Sequence, residues 1–211
     1  MDGIIADTGP YHLRGWQIVF RERGANYTDE DYRRNTGKRN DSIIRNILGK
    51  KTPQNEIETI TREKGEVFRQ LVSQHVRPFP GVLKLITTLK EHGFKIAIAS
   101  SAPMENIQLI TQNLKIHNCF DATVSGWEVT KGKPDPQIFL LAVEKLGVEA
   151  ENCIVIEDAI VGVTASKRAG IRCIAVTNTN PKENLREADL VVDSLEEITI
   201  DDLEKLLDQY K

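Results

Sequence analysis

The pattern of hydrophobic positions divides the chain into an all-helical stretch and a stretch where strands and helices alternate. From about residue 10 to residue 76, apolar residues recur at helical spacing, and the longest helix is expected from about 55 to 75, with Ile57, Ile60 and Val67 on one face. A proline-rich junction follows at 77–81. Beyond it, short apolar runs alternate with amphipathic segments, which is typical of a parallel sheet covered by helices on both faces.

This division predicts an α/β fold with a Rossmann-like core and an inserted all-helical cap. We assign residues 1–9 and 78–211 to the core and 10–77 to the cap. The strands are expected at 94–99, 122–125, 153–156, 172–176 and 190–192, and a final helix is expected from 200 to 210.

Composition and charge exclude several classes of protein. The 211 residues are 40% hydrophobic and 28% charged, which is ordinary for a globular protein. A net charge of -3 gives no sign of nucleic-acid binding, and no apolar run approaches membrane-spanning length. The cysteines Cys119, Cys153 and Cys173 lack CxxC spacing, so we expect reduced core thiols and a cytoplasmic location.

The strand predicted at 153–156 ends in two adjacent carboxylates, Glu157 and Asp158. Ligands of open α/β sheets bind at the carboxyl ends of the strands, and a buried carboxylate needs a cation or hydrogen-bond donors. A divalent-cation site with oxygen ligands is one interpretation. The other is a helix-capping Asp beside a solvated Glu, and this segment alone favours neither.

Further polar residues follow other predicted strands. Ser100 ends the strand at 94–99, Lys133 precedes a proline and a helix, and Asp2 lies in a turn with Gly3. Taken alone, Ser100 fits a helix cap as well as it fits a site residue, and Lys133 is more simply explained as a solvated loop lysine. Together with Glu157 and Asp158 at one sheet edge, they predict a site for a phosphoryl group and Mg²⁺.

These motifs resemble those of the haloacid dehalogenase-like hydrolase superfamily, in the branch with a small helical cap that includes β-phosphoglucomutase. Residues 2–8 resemble the latter part of the first motif, Ser100 the second, Lys133-Pro134 the third, and Glu157-Asp158 with Gly162 the fourth. The resemblance covers essentially the whole chain and implies a magnesium-dependent phosphohydrolase.

One position departs from the family pattern. The first motif of the family reads Asp-x-Asp-Gly, and its first Asp attacks phosphorus to form an aspartyl-phosphate. Here Met1 occupies the x position and Asp2 the second Asp, so the nucleophile position lies before Met1, as does the strand that carries it. Leaving out that strand would open a gap of roughly 10 Å in the middle of the sheet. We therefore expect the natural chain to begin upstream, and we expect the chain as given to be inactive.

The resemblance implies a role for each motif residue. Asp2 is the general acid/base and also supplies a backbone carbonyl to the metal. Asp158 ligates Mg²⁺, and Glu157 ligates it or holds a metal-bound water. Ser100 donates to the phosphoryl group, and Lys133 bridges it and the nucleophile.

Further residues are implied in substrate binding or cap movement. Thr8 lies at the hinge into the cap and Ser101 beside the phosphoryl donor, while the positions expected to face substrate from the cap are His12, Trp16, Arg39 and Lys64. Trp16 also reads as a core residue and Lys64 as a solvated helix lysine, whereas a loop Arg such as Arg39 can grip a second polar head group.

Substrate chemistry follows from the cap and from the segment after Ser101. Ala102 and Pro103 supply no charge or side-chain donor where the mutase binds its non-transferring phosphate, which favours a phosphatase for a small phosphorylated metabolite, in particular a sugar phosphate. The alternatives are a β-phosphoglucomutase-type isomerase and an inactive binding protein with the same fold. No nucleic-acid or membrane partner is expected, and the chain is expected to be a monomer or weak dimer.

Overall fold

The computed structural model describes residues 1–73 and 76–208, and it begins with a group of packed helices. A capping box at Thr28 and Asp31 starts the second of them: the Thr28 hydroxyl accepts from the Asp31 N–H, and the Asp31 carboxylate accepts from the Thr28 N–H. The stacked rings of Trp16, Phe20 and Tyr27 lie in the apolar centre of the group. Its helices are α1 (Gly9–Arg21), α2 (Asp29–Asn35), α3 (Asn40–Leu48) and α4 (Gln54–Val72).

The remainder of the chain alternates between helices and parallel strands, as predicted. Its strands are β1 (Ala97–Ala99), β2 (Ala122–Val124), β3 (Ile154–Glu157), β4 (Arg172–Val176) and β5 (Leu190–Val192). Its helices are α5 (Val82–Glu91), α6 (Met104–Asn113), α7 (Gln137–Leu146), α8 (Ile160–Arg168) and α9 (Ile200–Asp208). The α/β fold class with a helical cap is therefore confirmed.

The strands form two separate parallel sheets instead of one. β1 pairs with β2, and β4 lies between β3 and β5. In the described part of the chain, no strand pairs with the second edge of β1 or of β3. The opening between these two edges, which we call the slot, belongs to a cavity of about 740 Å³ that also reaches the cleft under the helical group.

Most elements lie close to their predicted bounds, but the first strand is shorter than predicted. It was expected at 94–99, yet only Ala97–Ala99 pair with β2. Before that, Asp121 bonds to both backbone groups of Ile96: its carboxylate accepts from the Ile96 N–H and its own N–H donates to the Ile96 carbonyl. The expected last turns of α4 and α9, to 75 and 210, fall outside the described residues.

The described residues include no helix that is both long enough and apolar enough to span a membrane.

Candidate active site

The residues singled out in the sequence come together where β1 and β3 end. The turn at Gly3, with a φ of +74°, packs directly onto Asp158, because a Cβ at Gly3 would lie only 1.9 Å from Asp158 Oδ2. Gly162 lets the first turn of α8 approach Glu157 in the same way, since its Cβ would lie 2.1 Å from the Glu157 carboxyl group. Only glycine fits these two positions without a shift of the carboxylates.

Asp2 is held by a chain of hydrogen bonds that reaches into α4. Its Oδ1 accepts from the Thr8 hydroxyl (2.6 Å) and lies 3.1 Å from His12 Nε2. His12 Nδ1 lies 2.5 Å from the ammonium of Lys64. A carboxylate can only accept and an ammonium can only donate, so His12 donates from Nε2 and accepts at Nδ1. This order fixes the neutral tautomer of His12 and orients one Asp2 oxygen.

The pKa values of this chain follow from burial and from the neighbouring charges. Burial is the largest influence on the pKa of Asp2 and would raise it, but His12, the Met1 ammonium and Thr8 together hold it well below its ordinary value. Burial, followed by the charge of Lys64, lowers the pKa of His12. Burial also lowers the pKa of Lys64 from 10.5 to about 7, against the attraction of Asp2.

Lys64 is therefore a residue of the helical group whose ammonium is connected to Asp2 through His12. Its ammonium lies 5.2 Å from the ring centroid of Trp16 and 4.8 Å from that of Phe68. These faces of aromatic rings partly replace the water lost on burial. The alternative interpretation of Lys64 as a solvated helix lysine is wrong, because the residue is buried.

Lys133 and Glu157 form a buried ion pair beside Asp158. The Lys133 ammonium donates to Glu157 Oε1, and the N–H groups of Asp158 and Ala159 donate to Oε2 at 2.9 and 3.0 Å. Burial would raise the pKa of Glu157, but Lys133 outweighs it and lowers that pKa. Burial, followed by the charge of Glu157, raises the pKa of Asp158 to about 7.

Only some of the oxygen atoms near Asp158 are available as ligands for a hard cation such as Mg²⁺. Asp158 Oδ2 accepts from the Thr179 hydroxyl (2.6 Å), and both Glu157 oxygens are engaged in the contacts given above. In the range that the structure describes, no three His, Cys, Asp or Glu side chains are grouped closely enough to hold a metal ion. Asp158 can contribute an oxygen ligand, whereas the Asp2 carbonyl stays an expected one, and Mg²⁺ commonly keeps several waters and so tolerates few protein ligands.

Ser100 and Ser101 lie at the end of β1 with different partners. The Ser100 hydroxyl is buried, lines the cavity, and accepts from the N–H of Ala102 at 3.2 Å, so its proton is available to a ligand. The Ser101 hydroxyl donates to the carbonyl of Gly37, between α2 and α3 (2.9 Å). Ser101 thus ties the helical group to the sheet.

Arg39 and Trp16 occupy less direct positions. The Arg39 guanidinium donates to the Val129 carbonyl (2.6 Å) and lies 3.3 Å from Asp41 Oδ1. It therefore connects the start of α3 to the core, and its role in substrate binding stays a prediction. Trp16 is a buried core residue of the helical group that also lines the cavity, and its role in substrate binding stays a prediction.

Sequence reasoning missed the loop after β4. Thr179 donates to Asp158, Asn180 donates to the Asp158 carbonyl (2.9 Å), and Asn178 donates to the Gly3 carbonyl (2.7 Å). This loop follows a central strand at the same sheet edge as the other motifs, so the topological argument used for Ser100 could have identified it.

Lys64 gives a prediction about pH. Between pH 7 and 10.5, the folded state binds fewer protons at Lys64 than the unfolded state, so this residue makes the free energy of unfolding rise with pH in that window. Lys64→Met should keep the packing and remove that rise. Relative to the unsubstituted chain, its stability should therefore fall by a few kcal/mol from pH 7 to 10.

Chemical denaturation at several pH values measures this difference. The matched control is Lys84→Met, at an exposed position on α5, which should leave the pH dependence unchanged. An unchanged slope in Lys64→Met would show that Lys64 titrates at its ordinary pKa.

Comparison with known proteins gives the family. The model of the haloacid dehalogenase-like hydrolase family matches residues 1–176. A phosphorylated carbohydrates phosphatase of Thermotoga maritima is 34% identical over 197 residues, covering 90% of this chain and 89% of that protein. A β-phosphoglucomutase of Bacillus subtilis is 31% identical over 218 residues, covering all of this chain and 94% of the relative.

Other matches differ in how much of their length the chain covers. A haloacid dehalogenase-like hydrolase domain-containing protein of Arabidopsis thaliana is 35% identical over 166 residues, which are 74% of this chain, and the chain spans about half of it (52%). The crystal structure of a β-phosphoglucomutase from Clostridium difficile superposes with a TM-score of 0.89 at 27% identity, covering 99% of this chain and 95% of that one. With the geometry of the motifs, these matches show that the chain belongs to the haloacid dehalogenase-like hydrolase family, in its β-phosphoglucomutase-like branch.

Proposed function

We propose that this fold serves a magnesium-dependent phosphatase that acts on a small phosphorylated metabolite, in particular a sugar phosphate, through an aspartyl-phosphate. The observation that carries the proposal is the orientation of Asp2, through Thr8, His12 and Lys64, at the same cleft as Ser100 and Lys133. The phosphatase name of the Thermotoga relative supports it.

The residues of this chain take complementary roles in that reaction. The Asp2 carboxylate takes a proton from the water that hydrolyses the aspartyl-phosphate, and this proton goes to the leaving oxygen in the next turnover. Ser100 donates a hydrogen bond to the phosphoryl group, and Lys133 balances its negative charge. Asp158 and the Asp2 carbonyl would hold Mg²⁺, which when bound neutralises phosphoryl oxygens. The nucleophilic carboxylate belongs at the position directly before Met1, where the slot opens beside Asp2.

Hydrolysis is favoured over isomerisation by the groups around Ser101. A mutase must retain a bisphosphate intermediate while that intermediate reorients in the site. This requires hydrogen-bond donors for the second phosphate. Here Ser101 donates to Gly37, and Ala102 and Pro103 have no side-chain donor. The mutase remains the second candidate because the Bacillus and Clostridium proteins carry that name.

The test uses an extended chain, which we define as the 211 residues preceded by an apolar strand that ends in Asp directly before Met1. Phosphorus NMR with Mg²⁺ and a panel of hexose phosphates separates the two candidates. A phosphatase converts each ester to inorganic phosphate. Conversion of one hexose phosphate to another without phosphate release would establish the mutase. If neither reaction occurs, the result favours the binding-protein alternative.

Arg39 provides a prediction about substrate choice. In the extended chain, Arg39→Ala should raise KM for sugar phosphates about 10-fold and change KM for p-nitrophenyl phosphate little, because the latter has no distal polar group to hold. Arg45→Ala, on α3 directly after Arg39 but bonded within the helical group, is the control. Equal losses on both substrates would assign Arg39 to cap positioning through Val129.

Magnesium provides another prediction. Because few protein oxygens converge near Asp158, the 211-residue chain should bind Mg²⁺ with a dissociation constant on the order of 1 mM, and Asp158→Asn should abolish binding. Calorimetry measures both, with Glu204→Gln on α9 as a distant control. Tight binding that survives Asp158→Asn would place the metal elsewhere.

The domain boundaries at 9/10 and 77/78, the cytoplasmic location and the monomeric or weakly dimeric state stay predictions. The location rests on Cys119, Cys153 and Cys173, which are free thiols in the structure.

A further inference from the structure

The wall of the cleft beside the start of α1 carries two polar side chains, Tyr32 from α2 and Asp7 from the segment before α1. The Tyr32 hydroxyl lies 3.2 Å from the position that a Cβ on Gly9 would take, and Asp7 Oδ1 lies 3.7 Å from the same point. All three residues line the cavity that also contains Asp2 and Ser100. A phenol and a carboxylate therefore lie close together on the wall of the candidate active site.

These two side chains are open to a ligand. Within the part of the chain that the structure describes, neither the Tyr32 hydroxyl nor the Asp7 carboxylate makes a hydrogen bond or an ion pair. The Tyr32 oxygen is accessible from the cavity, and Asp7 is exposed. By contrast, His12 and Asn35, which line the same cavity, have their side-chain polar groups engaged within the protein.

The environment of Tyr32 keeps its phenol protonated. Burial, followed by the charges of Asp2 and Asp158, raises the pKa of Tyr32 above its ordinary value. The phenol is therefore an uncharged group that can donate a hydrogen bond, whereas the carboxylate of Asp7 can only accept. Together the two side chains offer one donor and one acceptor to a group that lies near Gly9.

The chemistry of this pair matches a hydroxyl group, which accepts and donates at the same time. An alkyl chain would leave both Tyr32 and Asp7 without a partner. A second phosphate or a carboxylate would be repelled by Asp7, and an ammonium group could pair with Asp7 but could not accept the proton of the phenol. The pair therefore favours a neutral, hydroxylated ligand over an apolar or doubly anionic one.

We propose that Tyr32 and Asp7 bind one hydroxyl group of the leaving alcohol, with Tyr32 donating to its oxygen and Asp7 accepting its proton, and so select polyhydroxylated phosphate esters over alkyl and aryl ones. Both residues determine specificity and take no part in the chemistry. A site built to bond a substrate hydroxyl rejects an analogue that lacks it, because the polar groups of the site are then left unpaired. The inference rests on the proposed function for the phosphate ester and adds the group that distinguishes one ester from another.

The first test compares two ligands of the 211-residue chain by NMR titration. Glucose 6-phosphate and cyclohexylmethyl phosphate share the phosphate and the ring size but differ in their hydroxyl groups, and the first is expected to bind at least about 10-fold more tightly. Tyr32→Phe should weaken the binding of glucose 6-phosphate about 3- to 10-fold and Asp7→Ala about 10-fold or more, with less than about 2-fold change for cyclohexylmethyl phosphate. The matched control is Tyr27→Phe, whose lost hydroxyl bonds within the helical group to the Asp31 carbonyl.

Gly9 offers a second test, which leaves both polar side chains in the protein. A methyl group at Gly9 would lie 3.2 Å from the Tyr32 hydroxyl, which must then move by a few tenths of an ångström. Gly9→Ala should therefore weaken the binding of glucose 6-phosphate about 3-fold, and it should add no further loss in Tyr32→Phe, where the hydroxyl is absent. Additive losses would show that Gly9 acts independently of the Tyr32 hydroxyl and would contradict the proposed site.

Two further outcomes of the titration would overturn the proposal. Equal losses for both ligands would assign Tyr32 and Asp7 to the packing of the helical group, and an unsubstituted chain without preference for glucose 6-phosphate would have no hydroxyl site.

The extended chain separates this inference from the proposed function. Tyr32→Phe should lower kcat/KM for glucose 6-phosphate and leave that for p-nitrophenyl phosphate unchanged. Hydrolysis of both esters in a ratio that Tyr32→Phe does not change would support the phosphatase and overturn the hydroxyl site. Selective binding of glucose 6-phosphate without hydrolysis of either ester would keep the site and count against the phosphatase.

Discussion

The extended chain is expected to hydrolyse small phosphate esters with Mg²⁺, and the 211-residue chain is expected to show no turnover above background. The difference should be at least about 10⁴-fold, since loss of a nucleophile generally costs that much or more. Asp2 cannot replace the nucleophile, because Thr8 and His12 hold its carboxylate in the acid/base position.

The added strand should also stabilise the protein. Each apolar side chain that it buries contributes about 1.5–3 kcal/mol, and the ordering of its backbone costs roughly 1–2 kcal/mol per residue. Together with hydrogen bonds to the open edges of β1 and β3, the net gain should be a few kcal/mol. This corresponds to a melting temperature about 10 °C higher for a chain of this size.

Two variants separate the chemical effect from the structural one. Replacing the added Asp with Asn should keep the stability and remove the activity, whereas Asp2→Asn in the extended chain should reduce leaving-group protonation and spare activated esters most. If the unextended chain turned over substrate and Asp2→Asn abolished that turnover, the assignment of Asp2 as acid/base would be wrong.

The sequence predicted the fold well because its hydrophobic periodicity changes sharply at the junction near Gly81. The shortening of β1 was not predictable from propensity. Ile96 is a residue type typical of strands, but its N–H donates to the side chain of Asp121, 25 residues away, instead of to a backbone carbonyl.

Site residues were predictable where a motif or a strand end marked them, and less so where long-range contacts decide. Lys64 looks like any lysine on a charged helix, and only the packing of α1 against α4 brings it to His12. Arg39 has the sequence context of a loop cation, yet its partner is the carbonyl of Val129, 90 residues away. Thr179 lies in an ordinary polar loop until the fold places it on Asp158.

Lys133→Met is expected to destabilise the 211-residue chain by about 3–5 kcal/mol. The side chains of Lys133 and Glu157 are only 6% and 8% exposed, so the substitution leaves a buried carboxylate without its cation. For a chain of this size, the melting temperature should fall by roughly 6–15 °C. Adding Glu157→Gln should recover most of the loss, because an amide is far less costly to bury than an unpaired charge.

The matched control is Lys145→Met, which breaks the more exposed ion pair of Lys145 with Glu128 (34% and 33% exposed). It should cost less than about 1 kcal/mol. The pH dependence gives a second readout. Lys133 lowers the pKa of Glu157, so its contribution is present above pH 4.5 and is lost as the pH falls through the folded-state value. The stability deficit of Lys133→Met should therefore shrink below pH 4.5. A deficit that is independent of pH and unaffected by Glu157→Gln would contradict this. It would mean that packing of the Lys133 methylene groups on Phe139, and not the charge pair, accounts for the loss of stability.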